Sequence, residues 1–206
     1  MTLLDIFRRK PKIKGTIGYF GLTEWWMSTF SEAERKYIEK KFQPLGGSGD
    51  SITKGDISVR SDTAVGFLHN LAGWFDKNED RYLAYRILEK AEELIHQSAK
   101  PLDIHFFYNS KIEIFYKDRD NPEALEKAIC ACRKQINYAP NAAKAFKMEY
   151  NDEFLPSHRG YKQLAIILEK QKKYSDAIAL CTQAMDQGWF GDWQKRIERC
   201  KKKEKK

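Results

Sequence analysis

No stretch of this chain approaches the roughly 20 consecutive apolar residues that a helix needs to cross a bilayer, so no membrane span is expected. No Asn-x-Ser/Thr sequon occurs anywhere in the 206 residues. The opening, MTLLDIFRRKPKIK, is too short and too early-charged to read as a cleavable signal peptide. The four cysteines, Cys130, Cys132, Cys181 and Cys200, therefore read as reduced thiols of a cytoplasmic protein. Catalytic and metal signatures are also missing. His69, His96, His105 and His158 show neither an H-E-x-x-H motif nor a Cys/His metal spacing. Cys130-Ala-Cys132 places its thiols on different sides of a helix, and Glu92 and Glu93 fall in a helical surface pattern. A phosphate-binding loop requires G-x-x-x-x-G-K-[ST], but here Lys54 follows Thr53 and precedes Gly55. No Gly-rich turn presents a nucleophile. The chain is therefore expected to be non-enzymatic, with no cofactor, no metal and no small-molecule substrate.

Hydrophobic residues make up 42% and aromatics 13% of the chain, enough for a packed core. The net charge of +8 sits at the ends: residues 1–14 sum to +4, residues 193–206 to +6, and the remainder to −2. A nucleic-acid-binding body would show a net positive face, and the charge of the body gives no sign of one. The tails leave weak contact with an anionic membrane or with nucleic acid open. Leu3, Leu4 and Phe7 share a helical face ahead of a basic run. At the other end Trp189, Phe190 and Trp193 precede five lysines, and could stack a base.

Along the chain, residues 15–22 read as a loop or short extended piece. Trp25, Trp26 and Phe30 form an aromatic knot, and Ser31 with Glu34 predicts a capping box for a helix reaching about Phe42. The glycines 46, 47 and 49 mark a break, with a short hairpin over Ser51–Arg60 as an alternative. Helices are expected over about 63–75, then from an Asn78 cap to about 97, and over 101–117. Asn121-Pro122-Glu123 opens a further helix. Tyr138-Ala139-Pro140-Asn141 is expected to close it before a short helix over 142–150. Ser157–Trp189 reads as a helical hairpin. Leu164, Ile167, Leu168 and Gln171 face Ile178, Cys181 and Met185, Ser175 with Asp176 caps the second helix, and Gly188 stops it. The last helix should be short, with a solvated lysine tail. These boundaries divide the chain into an aromatic-rich segment (1–60), a helical body (61–192) and a basic tail (193–206).

The body repeats itself. Leu68, Leu71, Ala72, Phe75, Ala84, Leu88 and Ala91 align with Tyr161, Leu164, Ala165, Leu168, Ala177, Cys181 and Ala184. The intervals of three, one, three, nine, four and three are the same in both copies. This pattern of large and small positions resembles the tetratricopeptide repeat over about residues 63–190. A middle copy near 101–140 is degenerate, with Ala124 and Ala128 as alternative key alanines. The resemblance implies an all-α fold of antiparallel helical hairpins stacked as a short irregular solenoid, with an N-terminal helical extension.

It also implies a scaffold that receives a peptide or helix of a partner protein in a groove lined by first helices. Residues turned away from the core stripe include Arg159, Lys162, Ile166, Glu169 and Lys170 in the last copy, and Gly66, His69, Gly73 and Lys77 in the first. With the aromatic exit, the expected partner-binding residues are His69, Arg159, Lys162, Ile166, Lys170, Trp189 and Trp193. The alternatives are a nucleic-acid-associated or membrane-peripheral regulator using the basic termini, and an immunity-type protein that blocks a toxin.

Overall fold

The structure is a computed structural model that describes residues 13–45, 52–97, 100–150 and 154–205. The apolar segment Leu3–Phe7 and the glycines 46, 47 and 49 lie outside them. The fold is all-α, with one two-stranded sheet among the described residues. The chain divides into two compact units, Met1–Ala64 and Val65–Lys206.

In the first unit, α1 (Gly15–Tyr19), α2 (Thr23–Thr29) and α3 (Glu32–Lys41) surround Ile17, Trp26, Phe30, Ile38 and Ile52, all buried. Trp26 and Phe30 pack ring to ring at 5.3 Å, so the aromatic knot fills the interior. The capping box at Ser31 and Glu34 forms as the sequence indicates. Residues 15–19 are helical rather than a loop. The turn starts at Gly15, whose φ of 60° suits glycine, and whose N–H donates to the Gly55 carbonyl at 2.8 Å. No strand occurs in the described part of 51–60.

The second unit holds α4 (Ala64–Gly73), α5 (Arg81–Glu93), α6 (Pro101–Lys117), α7 (Pro122–Tyr150), α8 (Arg159–Lys170), α9 (Tyr174–Asp186) and α10 (Trp193–Glu204). Helix α6 packs on α5, α7 and α8, while α9 packs on α8 and α10. Every side chain of the aligned repeat is buried except Leu168, which is half-buried. The alanines Ala84, Ala91, Ala165, Ala177 and Ala184 are fully enclosed, as close helix approach requires.

Several local features depart from expectation. Asp80, not Asn78, precedes α5, because the Arg81 guanidinium holds the Asp76 carbonyl and keeps residues 76–80 in a loop. Helix α7 does not close at Pro140 but runs 29 residues through it. Pro140 is exposed, so water can replace the missing N–H, while Ala139, Ala142 and Phe146 anchor the far side. Ser175 and Asp176 do not cap α9; the helix begins a residue earlier, and the Ser175 hydroxyl donates to Glu204 at 2.6 Å. Met185 is exposed rather than on the buried face. Gly188 does stop α9, with φ 82°. The lysine tail is largely helical: α10 carries Lys201, Lys202 and Lys203 and buries Trp193, Arg196, Ile197 and Cys200. Finally, β1 (Leu155–Ser157) and β2 (Trp189–Phe190) pair in parallel. Neither strand is long enough to show period-two alternation.

Candidate functional site

Helix α8 has two faces. Gly160, Tyr161, Leu164, Ala165 and Ile167 turn inward. Arg159, Lys162, Gln163, Ile166 and Lys170 recur at helical spacing on the other side. Arg159, Lys162, Gln163 and Ile166, with Asn109 of α6 and Ser157 of β1, line a hollow of about 230 Å³. A second hollow of about 500 Å³ shares Ser157 and Lys162 with it and continues to Phe190, Gln194 and Lys195. Phe190 stands 75% exposed at this end.

The first helices of the hairpins lie beside one another. His69 Nδ1 of α4 is 3.3 Å from Ser110 Oγ of α6. Arg159 pairs with Glu113 of α6 at 3.1 Å, and Lys170 Nζ donates to Tyr116 Oη at 3.2 Å. The sequence-predicted residues His69, Arg159, Lys162, Ile166 and Lys170 are thus accessible or half-buried on these helices. Arg159, Lys162 and Ile166 share one hollow, whereas Lys170 sits at the opposite end of α8 and His69 on α4.

Two predicted residues are excluded by burial. Trp189 and Trp193 are 2% and 3% exposed. Their indole N–H groups are already used, by the Gln187 side chain at 3.1 Å and the Trp189 carbonyl at 2.6 Å. They are core residues and are not free to stack a base or a partner. Glu169 is also not outward: its carboxylate bonds Arg196 and Arg199 of α10. Gly66 is not open to a partner either, since a Cβ there would lie 2.8 Å from the Asp103 carboxylate. The sequence missed Asn109, Ser157, Gln163, Gln194 and Lys195. Gln163 shares the period of Arg159 and Ile166 and was readable from it. Ser157 and Asn109 reach the hollow through tertiary packing.

A buried polar network lies behind Asn109 of the hollow. Gln135 of α7, fully buried, donates from Nε2 to the His105 carbonyl at 2.9 Å and to Asn109 Oδ1 at 2.6 Å. Its Oε1 accepts from Gly160 N at 2.7 Å. A Cβ at Gly160 would meet that oxygen at 2.8 Å and the Cys132 carbonyl at 3.0 Å, so glycine is required. Beside this node His105 and His158 pack at 5.2 Å, with Trp189 4.6 Å from His158. The Tyr161 N–H donates to His158 Nδ1 at 3.3 Å, which puts the proton of the neutral ring on Nε2. His158 Nε2 and His105 Nδ1 are buried with no hydrogen-bond partner among the described residues. Burial lowers His105 to about 4, and burial with the neighbouring His105 lowers His158 to about 3.

A hollow of about 750 Å³ lies elsewhere, around Arg81, Tyr85 and Asp118. There Asp118 accepts from both Arg81 and Tyr85, an arrangement that ties α5 to the end of α6. Burial pushes the Cys132 and Cys181 thiols up to about 12, consistent with their place in the core. Among the described residues no group of three or more His, Cys, Asp or Glu side chains is placed to hold a metal ion, and no helix is long and apolar enough to cross a membrane.

No family model matches the chain, and neither does any curated protein or solved structure.

Proposed function

We propose that the chain is a non-enzymatic scaffold or adaptor of the tetratricopeptide-like kind, working in the cytoplasm without a cofactor. Its partner is a protein segment seated on the outer face of α8 and the helices beside it. The observation that carries this reading is the hollow running along Arg159, Lys162 and Ile166 to Phe190. It combines the Lys162 and Lys195 ammonium groups, which hold no ion pair among the described residues, with the exposed Phe190 ring, which suits recognition of another chain. The aligned repeat positions support stacked hairpins as the architecture, because all of them but the half-buried Leu168 bury the side chain that such stacking needs buried.

Purification of the tagged protein from cell extract, followed by mass spectrometry, tests the reading. The wild type should retain a defined partner that an Arg159→Glu, Ile166→Asp variant of unchanged helicity loses. Equal recovery on both would sink it, as would turnover in an activity screen with no partner retained.

A further inference from the structure

We propose that the hollow takes an extended acidic segment of the partner, with a carboxylate held between Lys162 and Lys195 and an apolar side chain laid on Phe190. This rests on the scaffold reading and names the chemistry of its partner.

The two hollows join at Ser157 and Lys162, so they form one channel along the first two turns of α8. Arg159 to Ile166 spans about 10 Å at the helical rise, room for three or four extended residues rather than a helix lying lengthwise. The channel is rich in donors and poor in acceptors. Neither Lys162 nor Lys195 has an ion-pair partner among the described residues. Gln163 Nε2 is sealed from solvent without an acceptor. Asn109 has its Oδ1 occupied by Gln135, which leaves its amide N–H groups to give. The acids at the rim are engaged: Glu113 pairs with Arg159, and Asp192 lies 3.8 Å from Arg196. A carboxylate entering the channel meets two lysines that hold no internal ion pair against one lining acid, Asp192, so the lining is net positive and favours charge-assisted hydrogen bonds.

A nucleic acid offers anions too, but the geometry fits it less well. Stacking along a strand needs exposed rings in series, and of the two rings that line the channel Trp193 is 3% exposed, which leaves Phe190 to stack. Glu113 and Asp192 at the rim would also repel a uniformly anionic backbone. A peptide that alternates carboxylates with neutral or apolar residues avoids both problems.

The test is fluorescence anisotropy on the full chain. The probe is a labelled synthetic peptide of about ten residues, alternating Asp or Glu with Ser around a central Phe. The comparison ligands are the same peptide with every acid replaced by its amide, and a single-stranded oligothymidine. The acidic peptide should bind about tenfold tighter than its amide form and weaken as salt rises. The Lys162→Glu, Lys195→Glu variant should lose about tenfold or more, and Phe190→Ser about fivefold. Lys201→Glu with Lys202→Glu, two exposed lysines that do not line the channel, should stay within about twofold. Circular dichroism checks that each variant keeps its helicity. Equal loss in the Lys201, Lys202 variant would show diffuse charge attraction and overturn the proposal. So would equal binding of the amide peptide, tighter binding of the oligothymidine, or no binding of the acidic peptide. A partner captured from extract in the absence of acidic-peptide binding would leave the scaffold reading standing and this inference refuted.

Discussion

The two ends of α8 are held by different chemistry. At its start, Gly160 and His158 sit in a neutral network: the Gln135 amide, two uncharged imidazoles and the Trp189 ring. At its end, Glu169 forms an ion pair with Arg196, their side chains only 10% and 7% exposed, and Arg199 adds two further bonds. Burial alone would raise the Glu169 carboxyl, but hydrogen bonds from Arg199 and Arg196 outweigh it and hold the group below its ordinary value. A neutral network fails when a member gains charge. A charged pair fails when a member loses it. One helix therefore carries two acid sensitivities that act in different pH ranges.

The largest effect should come from breaking the charged end. Glu169→Ala leaves Arg196 buried with only Asp192 near it, and should cost about 3 kcal/mol, read as a lower midpoint in urea denaturation. Acidification comes next. His105 and His158 have folded values below the ordinary 6.5, so their contribution is intact above 6.5 and is lost as pH falls. At pH 5 the loss is about 2 kcal/mol for each ring. Glu169 behaves as a depressed acid: its contribution is present above about 4.5 and is lost only below that. The thermal midpoint should thus begin to fall below pH 6.5, before the Glu169 pair is affected. His105→Phe, which keeps a ring against Trp189 but cannot titrate, should flatten that first decline. A midpoint constant from pH 7 to 5 in the wild type would disprove the neutral-network account.

Much of this architecture was legible in the chain. Helix spacing, the repeat of large and small residues and the Gly188 stop depend on local periodicity and backbone preference, which sequence carries directly. Pro140 misled because its cost is local, whereas the contacts that carry α7 past it come from Phe146, buried near His105 and Trp189. Trp189 and Trp193 misled in the opposite way. Ahead of the lysine tail they read as an exposed aromatic exit, yet the β1–β2 pair and α10 enclose them. For the candidate site, Arg159, Lys162 and Ile166 were readable from the face of one helix. Asn109 and Ser157 were not, because only packing of α6 and β1 against α8 brings them there.

Gln135 tests the neutral end without changing any charge. Gln135→Leu keeps the volume roughly constant but strands the Gly160 N–H and Asn109 Oδ1, so a loss of about 2 kcal/mol is expected. The pH dependence of that variant should stay close to wild type, since the imidazoles remain buried. A steep change in slope would mean that Gln135 sets the histidine environment as well as the α8 position.

The smallest effect should be at the surface of the same helix. The Arg159–Glu113 pair is nearly half exposed on both sides, 43% and 46%. Solvent screening and side-chain entropy leave such a pair worth less than about 0.5 kcal/mol. Arg159→Ala should therefore leave the urea midpoint almost unmoved. A loss as large as that of Gln135→Leu would place Arg159 in the structural framework of α8 and remove it from the binding surface. An unmoved midpoint together with weakened partner recovery would separate the two roles, with the inward face and ends of α8 holding the fold and the outward face left for recognition.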